Sequence, residues 1–504
     1  MKHIIYCRRV TGRMLTLLFA LSLTGLLSSC SKFLDLKPRD VKILKSAEDY
    51  RDLLASYLKF IKTTNPEQPI SILGGDPFTF PKFNLSGTLG IYTGEAVLSP
   101  TRPFVDEATK LYTASGRNFL LWGITKHYKW EQDFRFLGPI NLIILNVQDA
   151  EGDDQHLKDM VKGEALTWRA YTYFKLLQLY CPYEGEPYGL PLYLDPSLDV
   201  GIAQPERATL SQTYAQIIKD ANEALELLKR TPYSDWNFAY RPDFLHAMLS
   251  SIYLYKAGSG AKEEGDYRQA LEHAKAAIGQ RKLETDPERL RRLFNASDPY
   301  SAAAFNSDEY SIRIIDGDNS QIIQFTSYYK GNTTGFTTNE FISLFSEDDK
   351  RKNLFLDDYE VGKIRKWELT EVWTSSHGIL MPYRLAEMIL NKAEAEAQLG
   401  MTAEATATLK EFTDARYSKP QPTPAPTDLI PVIRLERKRE FFCENDVIWL
   451  DMKRFGEEVT REINGTMYTL KGDDYRYTFP IPGSELEDNK KMVQNPGWEN
   501  VILQ

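Results

Sequence analysis

Cysteine, long apolar runs and basic clusters are scarce in this chain, and each scarcity removes a class of protein. Four cysteines in 504 residues cannot frame a disulfide-built fold. Cys7 lies near the start and Cys30 follows the first apolar segment, which leaves Cys181 and Cys443, read as buried thiols without metal-like spacing, with a disulfide between them as the alternative. Beyond residue 29 no stretch is apolar over the roughly 20 residues that a membrane-spanning helix needs. A net charge of −9, with basic residues clustered only from Arg434 to Arg439, does not suit nucleic acid. That cluster reads as a solvated helix face.

Catalytic grammar is equally thin. The chain has no G-x-S-x-G, no H-E-x-x-H, no phosphate-binding loop and no G-x-G-x-x-G. Gly258-Ser259-Gly260 sits between helices rather than after a strand, so it reads as a turn. Asp149 to Asp154 and Asp316-Gly317-Asp318-Asn319 are acidic turns without the spacing of a calcium loop, and no metal or cofactor is expected. His246 and His273 fall on helices and read as structural or solvated. Seventy acidic residues leave open a pair of carboxylates flanking a sugar, but the weight of the sequence lies with binding, not catalysis.

What is present begins with an address. Lys2, Arg8, Arg9 and Arg13 precede an apolar run from Met14 to Leu27, the layout of a signal peptide over residues 1–29. Its removal takes the net charge from −9 to −13. The junction Leu27-Ser28-Ser29-Cys30 resembles the lipobox of bacterial lipoproteins, which implies cleavage before Cys30 and acylation of that residue. Several acyl chains, at about 0.8 kcal/mol per buried methylene, hold a protein on a membrane without a spanning helix. Ordinary secretion with cleavage near Ser29 is the alternative.

Residues 30–45 then read as a tether, and 46–504 as one body. Its organising stretch is Arg241 to Ile278. Phe244, Leu245, Met248, Leu249, Ile252 and Tyr255 share a broad helical face, and a Gly-rich break from Gly258 to Gly265 leads to a second helix. Ala270, Ala274 and Ala277 make that second helix narrow enough for close approach, the logic of a tetratricopeptide-type hairpin. The step from Gly265 to Ala270 recurs from Gly400 to Ala405 behind another Ala-rich helix, so a second pair is expected over roughly 382–417. Capping signals at Ser46-Ala47-Glu48-Asp49 and Thr209-Leu210-Ser211-Gln212 open two further helices. Trp130, Phe134, Leu137 and Asn141 share a face on another, and Glu164 to Tyr180 forms one that Cys181-Pro182 ends. The fold class is therefore mainly α, with helical repeats chiefly in 46–62, 107–280 and 382–445. Irregular segments, 63–105, 281–380 and 446–504, would form a second, ligand-binding part. Gln321 to Phe325 alone is strand-like.

Several local patterns together resemble the SusD/RagB family of surface lipoproteins. Gly163-Glu164-Ala165 with Arg169-Ala170-Tyr171 and Phe174 is similar to one family helix, and Trp130, Phe134 and Asn141 to the helix before it. Arg207-Ala208-Thr209 with Tyr214, Ile217, Ile218 and Asp220 matches a third. Arg384, Ala386-Glu387, Leu390, Ala393-Glu394-Ala395 and Gly400 match a fourth. Ile481-Pro482, Ser484-Glu485 and Gln494-Asn495-Pro496-Gly497 resemble the closing segment. The chain departs at Asn445, where the family has Gly. The resemblance implies a helical-hairpin scaffold on the outer membrane that takes a glycan, or in some members a peptide, to a TonB-dependent transporter.

A sugar offers hydroxyls at its edge and C–H groups on its faces, so its site needs exposed aromatic plates with amides beside them. Loops are where such residues stay exposed. Tyr92 in the first insert, Tyr300, Tyr328, Tyr329 and Asn332 in the next, and Trp373 ahead of the second helix pair are the candidates. Trp122, Trp130, Trp168 and Trp367 read as core.

Overall fold

The computed structural model describes residues 44–62, 104–105, 112–113, 128–185, 188–195, 204–230, 242–295, 337–356, 366, 383–442, 447–463 and 466–499. The first helix, α1 (Ala47–Lys62), starts where the cap predicts: Ser46 N–H donates to Asp49 Oδ2 at 3.0 Å, and Asp49 N–H donates back to Ser46 Oγ at 3.3 Å. A short antiparallel ladder of β1 (Phe104–Val105) and β2 (Tyr112–Thr113) follows, with β1 at the end of the segment read as irregular and β2 inside the region read as helical from 107. Then comes α2 (Tyr128–Asn146), which buries Trp130, Leu137 and Asn141 along the expected face.

At the centre lies α3 (Gln155–Tyr180). It begins a full two turns before Glu164 because Asp154 accepts from the Leu157 N–H at 3.0 Å and so satisfies an end donor. From Val161 onward nearly every side chain is buried, so the stripe read from sequence is only part of its contact surface. Its neighbours α2, α1 and α4 (Leu210–Leu228) cover different sides. The Thr209–Gln212 capping box opens α4 as predicted, with both reciprocal bonds made. Arg169 of α3 grips Asp220 of α4 through Nε and Nη2, both at 2.7 Å, and donates to Asn141 of α2 at 3.0 Å. A fully buried charge is tolerated there because a bidentate partner and a third acceptor complete its bonds.

The organising hairpin is α5 (Pro242–Ala257) and α6 (Asp266–Ile278). Buried Lys256 at the end of α5 donates to both carboxylate oxygens of Asp266, at 3.0 and 2.9 Å, clamping the turn. Gly265 sits at φ +95°, which an L side chain rarely adopts. The nine-residue α7 (Pro287–Asn295) comes next, followed by the short α8 (Asn339–Ile342) and α9 (Lys350–Phe355). The second hairpin, α10 (Leu385–Gln398) and α11 (Thr402–Arg416), stacks on the first through Leu254, Ala270, Leu271 and Ala395. Gly400 takes φ +73° at its turn, repeating the device at Gly265.

After them, α12 (Leu429–Glu440) packs on α10 and leads to α13 (Val447–Phe455), the hairpin β3 (Val459–Ile463) with β4 (Thr466–Leu470), and α14 (Gly483–Asp488). Two readings are corrected here. The described residues within 446–504 are not irregular, since they carry two helices, a five-pair ladder and many buried side chains. Arg434 to Arg439 is not a solvated face: Glu436 and Arg437 are buried, and Arg434 stacks on Phe455 with its guanidinium 3.7 Å from the ring centroid. Trp130, Trp168 and Cys181 are buried as expected, while Trp122, Trp367, Cys443 and the strand-like 321–325 lie outside the described residues. Every described element past Lys45 belongs to one unit, Ser46–Gln504.

Candidate functional site

The residues singled out for ligand contact, Tyr92, Tyr300, Tyr328, Tyr329, Asn332 and Trp373, all lie outside the described residues, as does Cys30. The described residues hold the helical frame. Two polar constellations stand out in it, and they differ in whether anything is left to bind.

The first surrounds Glu440. This carboxylate, 0% exposed, accepts from Arg416 Nε and Nη2 at 3.0 Å each, from Arg384 Nη1 at 3.1 Å and from Arg351 Nη1 at 3.4 Å. Arg351 also binds Asp349 through Nε and Nη2 at 2.8 Å each, and Glu436 at 2.6 Å. Burial alone would raise the Glu440 carboxyl, but Arg416, Arg384 and Arg351 outweigh it and hold it far below the ordinary range. Three guanidinium groups face three carboxylates, with Tyr417 bridging to Glu436 at 2.7 Å. The knot ties α9, α10, α11 and α12 together and has no open position for a ligand.

The second constellation is a cleft of about 50 Å³ between α3, α5, α10, α12 and α13. Arg454 grips Glu394 at 2.5 and 2.7 Å and reaches Asp451 through Nε at 2.9 Å. Arg437 donates to Asp451 and to Asn391, both at 2.7 Å. Asn391 in turn donates to Ser251 Oγ at 3.2 Å, and Ser251 donates to Glu387 at 3.2 Å. Burial raises the Asp451 carboxyl, yet the two arginines beside it keep it below its ordinary value. Glu387 behaves oppositely: burial pushes it up, and Arg437 and Lys175 offset that only in part. The side chains of Gln178, Tyr255 and Tyr383 also line the cleft, and Gln178 Oε1 and both phenol oxygens are buried without a protein partner. One water takes about 10–15 Å³ of such space, so the cleft has room for a few waters but not for a sugar ring. Its lining makes it a narrow polar seam between helices.

Elsewhere the frame's polar groups serve the fold. Asn495 Nδ2 donates to Tyr180 O at 2.8 Å and Phe479 O at 2.7 Å, while its Oδ1 accepts from Arg207 at 2.8 Å. Lys453 Nζ caps the end of α3, donating to the carbonyls of Gln178 and Cys181 at 2.8 and 2.7 Å. Burial pushes Lys453 down to about 7, and Cys181 beside it up to about 11. His246 of α5 and His273 of α6 face each other, Nδ1 to Nδ1 at 2.8 Å, which spacing along the chain did not signal. Among the described residues no group of three or more His, Cys, Asp or Glu is placed to hold a metal, and no helix is long and apolar enough to cross a membrane.

The comparisons with known proteins agree on the frame. The family model described as "Starch-binding associating with outer membrane" matches residues 116–254, and the SusD family model matches residues 244–498, just over half of the chain. No curated protein matches. Among solved structures, a SusD superfamily protein from Bacteroides fragilis is 19% identical, with a TM-score of 0.65 over 90% of this chain and 100% of its own. One from Bacteroides thetaiotaomicron is 18% identical, with a TM-score of 0.64 and the same coverage. A SusD-like carbohydrate binding protein from Bacteroides vulgatus is 19% identical, with a TM-score of 0.62 over 89% of this chain and 98% of its own.

Proposed function

The chain belongs to the SusD family, and on that footing we propose that it is a lipid-anchored outer-membrane protein that binds oligosaccharide and passes it to a TonB-dependent transporter. The observation that carries the reading is the unbroken run of family similarity from 116 to 498 on a helical-hairpin frame of that kind. The names attached to one family model and to the Bacteroides vulgatus structure, starch-binding and carbohydrate binding, support glycan as the ligand class. The sequence before Cys30 supports the anchor, and acylation there fixes the body to the membrane surface.

Ligand contact is assigned to Tyr92, Tyr300, Tyr328, Tyr329, Asn332 and Trp373, the aromatic and amide groups of the inserts. The frame supports that division indirectly. The knot at Glu440 pairs its charges internally, and the described cleft of about 50 Å³ is too small for a ring. The inserts carry aromatic and amide groups of the kind that stack on sugar faces. The role is binding without turnover.

Titration with a panel of soluble oligosaccharides, and in parallel with peptide mixtures, tests the ligand class. Glycan binding that disappears when Tyr328, Tyr329 and Trp373 are all changed to Ala supports the assignment, and unchanged binding of every glycan sinks it. Saturable binding of peptides alone would move the protein to the peptide-binding branch. Release of product from polysaccharide would make it an anchored glycoside hydrolase. Cys30→Ala should move the protein from the membrane fraction to the soluble one.

A further inference from the structure

We propose that His246 and His273 form a two-imidazole site for a borderline divalent cation, Cu²⁺ above all and then Ni²⁺ or Zn²⁺, on the first helical hairpin. The two rings come from neighbouring helices with Nδ1 atoms 2.8 Å apart and ring centroids at 5.1 Å. Tyr253, two turns after His246 on α5, stacks on His273 at 5.7 Å with planes only 8° apart, which fixes the ring's orientation. Both imidazoles are half-buried, so solvent can complete the coordination. The two ligands are therefore neighbours before any metal arrives, and much of the ordering cost that weakens flexible two-ligand sites is already met by the fold.

The chemistry needs little movement. Two nitrogens about 2.05 Å from one ion lie roughly 2.9 Å apart at the right angle of a tetragonal Cu²⁺ site and roughly 3.3 Å apart at a tetrahedral Zn²⁺, so the rings open by at most about half an ångström and turn their lone pairs off the Nδ1–Nδ1 line toward the ion. In the metal-free pair one ring donates its Nδ1 proton to the other. For both Nδ1 atoms to bind metal, that proton must move through solvent to the Nε2 of the same ring, leaving two neutral imidazoles and no net loss of protons. Imidazole suits Cu, Ni and Zn, and Cu²⁺ heads the affinity order for nitrogen sites. The groups around the pair are Lys229 at the end of α4, Asp243 on α5 and Glu272 on α6. Asp243 is held by Arg281, so it stays with that partner.

Calorimetric titration of the purified chain with Cu²⁺ alone, and with Zn²⁺ and Ni²⁺ for rank, should give one equivalent of Cu²⁺. Its dissociation constant should rise at least tenfold in both His246→Gln and His273→Gln, with the melting temperature of the metal-free variants kept. The Cu²⁺ electron paramagnetic resonance spectrum of the unaltered chain should carry coupling to two histidine nitrogens, and to one or none in each variant. Stoichiometric binding unchanged in both variants would place the ion at another of the six histidines and overturn the proposal. So would a parent spectrum without imidazole nitrogen. Should a glutamine variant fail to fold, the spectrum of the parent decides, read before and after the other variant.

Discussion

Removing one negative charge from the middle of the frame should be far more damaging than its single-atom size suggests. In Glu440→Gln the side chain keeps its shape, but an amide cannot accept from Arg416, Arg384 and Arg351 together, and one of its ends now presents donors to donors. Breaking a buried ion pair by neutralising one partner costs about 3–5 kcal/mol, because the remaining charges stay buried and under-compensated. Unfolding entropy of about 2.1 cal/mol/K per residue, scaled to the roughly 460 residues of Ser46–Gln504, gives about 1 kcal/mol per kelvin. The melting temperature should therefore fall by about 3–5 °C, and the urea midpoint should fall with it. The pH dependence sharpens the test. Glu440's folded value lies below its unfolded one, so the unfolded chain binds the extra proton, and the stabilisation is whole above the ordinary carboxylate value of about 4.3. It is lost as pH falls through the depressed folded value. The variant should show a shallower acid limb than the parent, with the two curves converging in strong acid. A variant that melts within 1 °C of the parent at pH 7, or shares its acid limb, would refute the reasoning.

Glu387→Gln should have the opposite sign. Its carboxyl is raised in the folded state, so folding favours protonation, and ionisation weakens the fold as pH rises above the ordinary carboxylate value; the amide should melt at or above the parent at pH 7 and level with it near pH 4. Gly189→Ala puts a Cβ 2.3 Å from both Thr209 O and Thr213 Oγ1 and 2.6 Å from Ala208 O, where two of the three neighbours are backbone. A loss of about 1–3 kcal/mol in urea denaturation is expected, and a neutral result would mean the segment from 188 to 195 moves freely from α4. Asn495→Ala strands the carbonyls of Tyr180 and Phe479 and an arm of Arg207, which should cost about 2–3 kcal/mol by the same assay.

Much of the frame was legible because its signals are local. The reciprocal caps at Ser46 and Thr209, the glycine turns at 265 and 400, and the alanine stripe of α6 each need only neighbouring residues to be understood. The start of α7 was legible too and was passed over: Asp286 accepts from Arg289 N–H at 2.9 Å, with Pro287 at the first helical position. Arg434 to Glu440 was misread for a physical reason. A run of charges in one segment resembles a wet surface unless its counter-charges are known, and these lie at Arg351, Arg384, Arg416 and Asp451. Several motif residues that resemble the family proved to be one another's partners, Arg169 with Asp220 and Arg207 with Asn495, while Arg384 pairs with Glu440. They specify the frame, and the residues proposed for glycan contact lie outside the described residues.

The closing segment makes this a molecule that is shut from its far end. Asn489 and Asn495 reach back to Pro205 and Tyr180, 284 and 315 positions earlier, and Phe479 N–H bonds the Leu179 carbonyl. Any state in which those contacts are unmade leaves carbonyls at the end of α3 without donors and a gap where Phe479 and Trp498 belong, so closing this seam is a long-range step of the kind that slows folding.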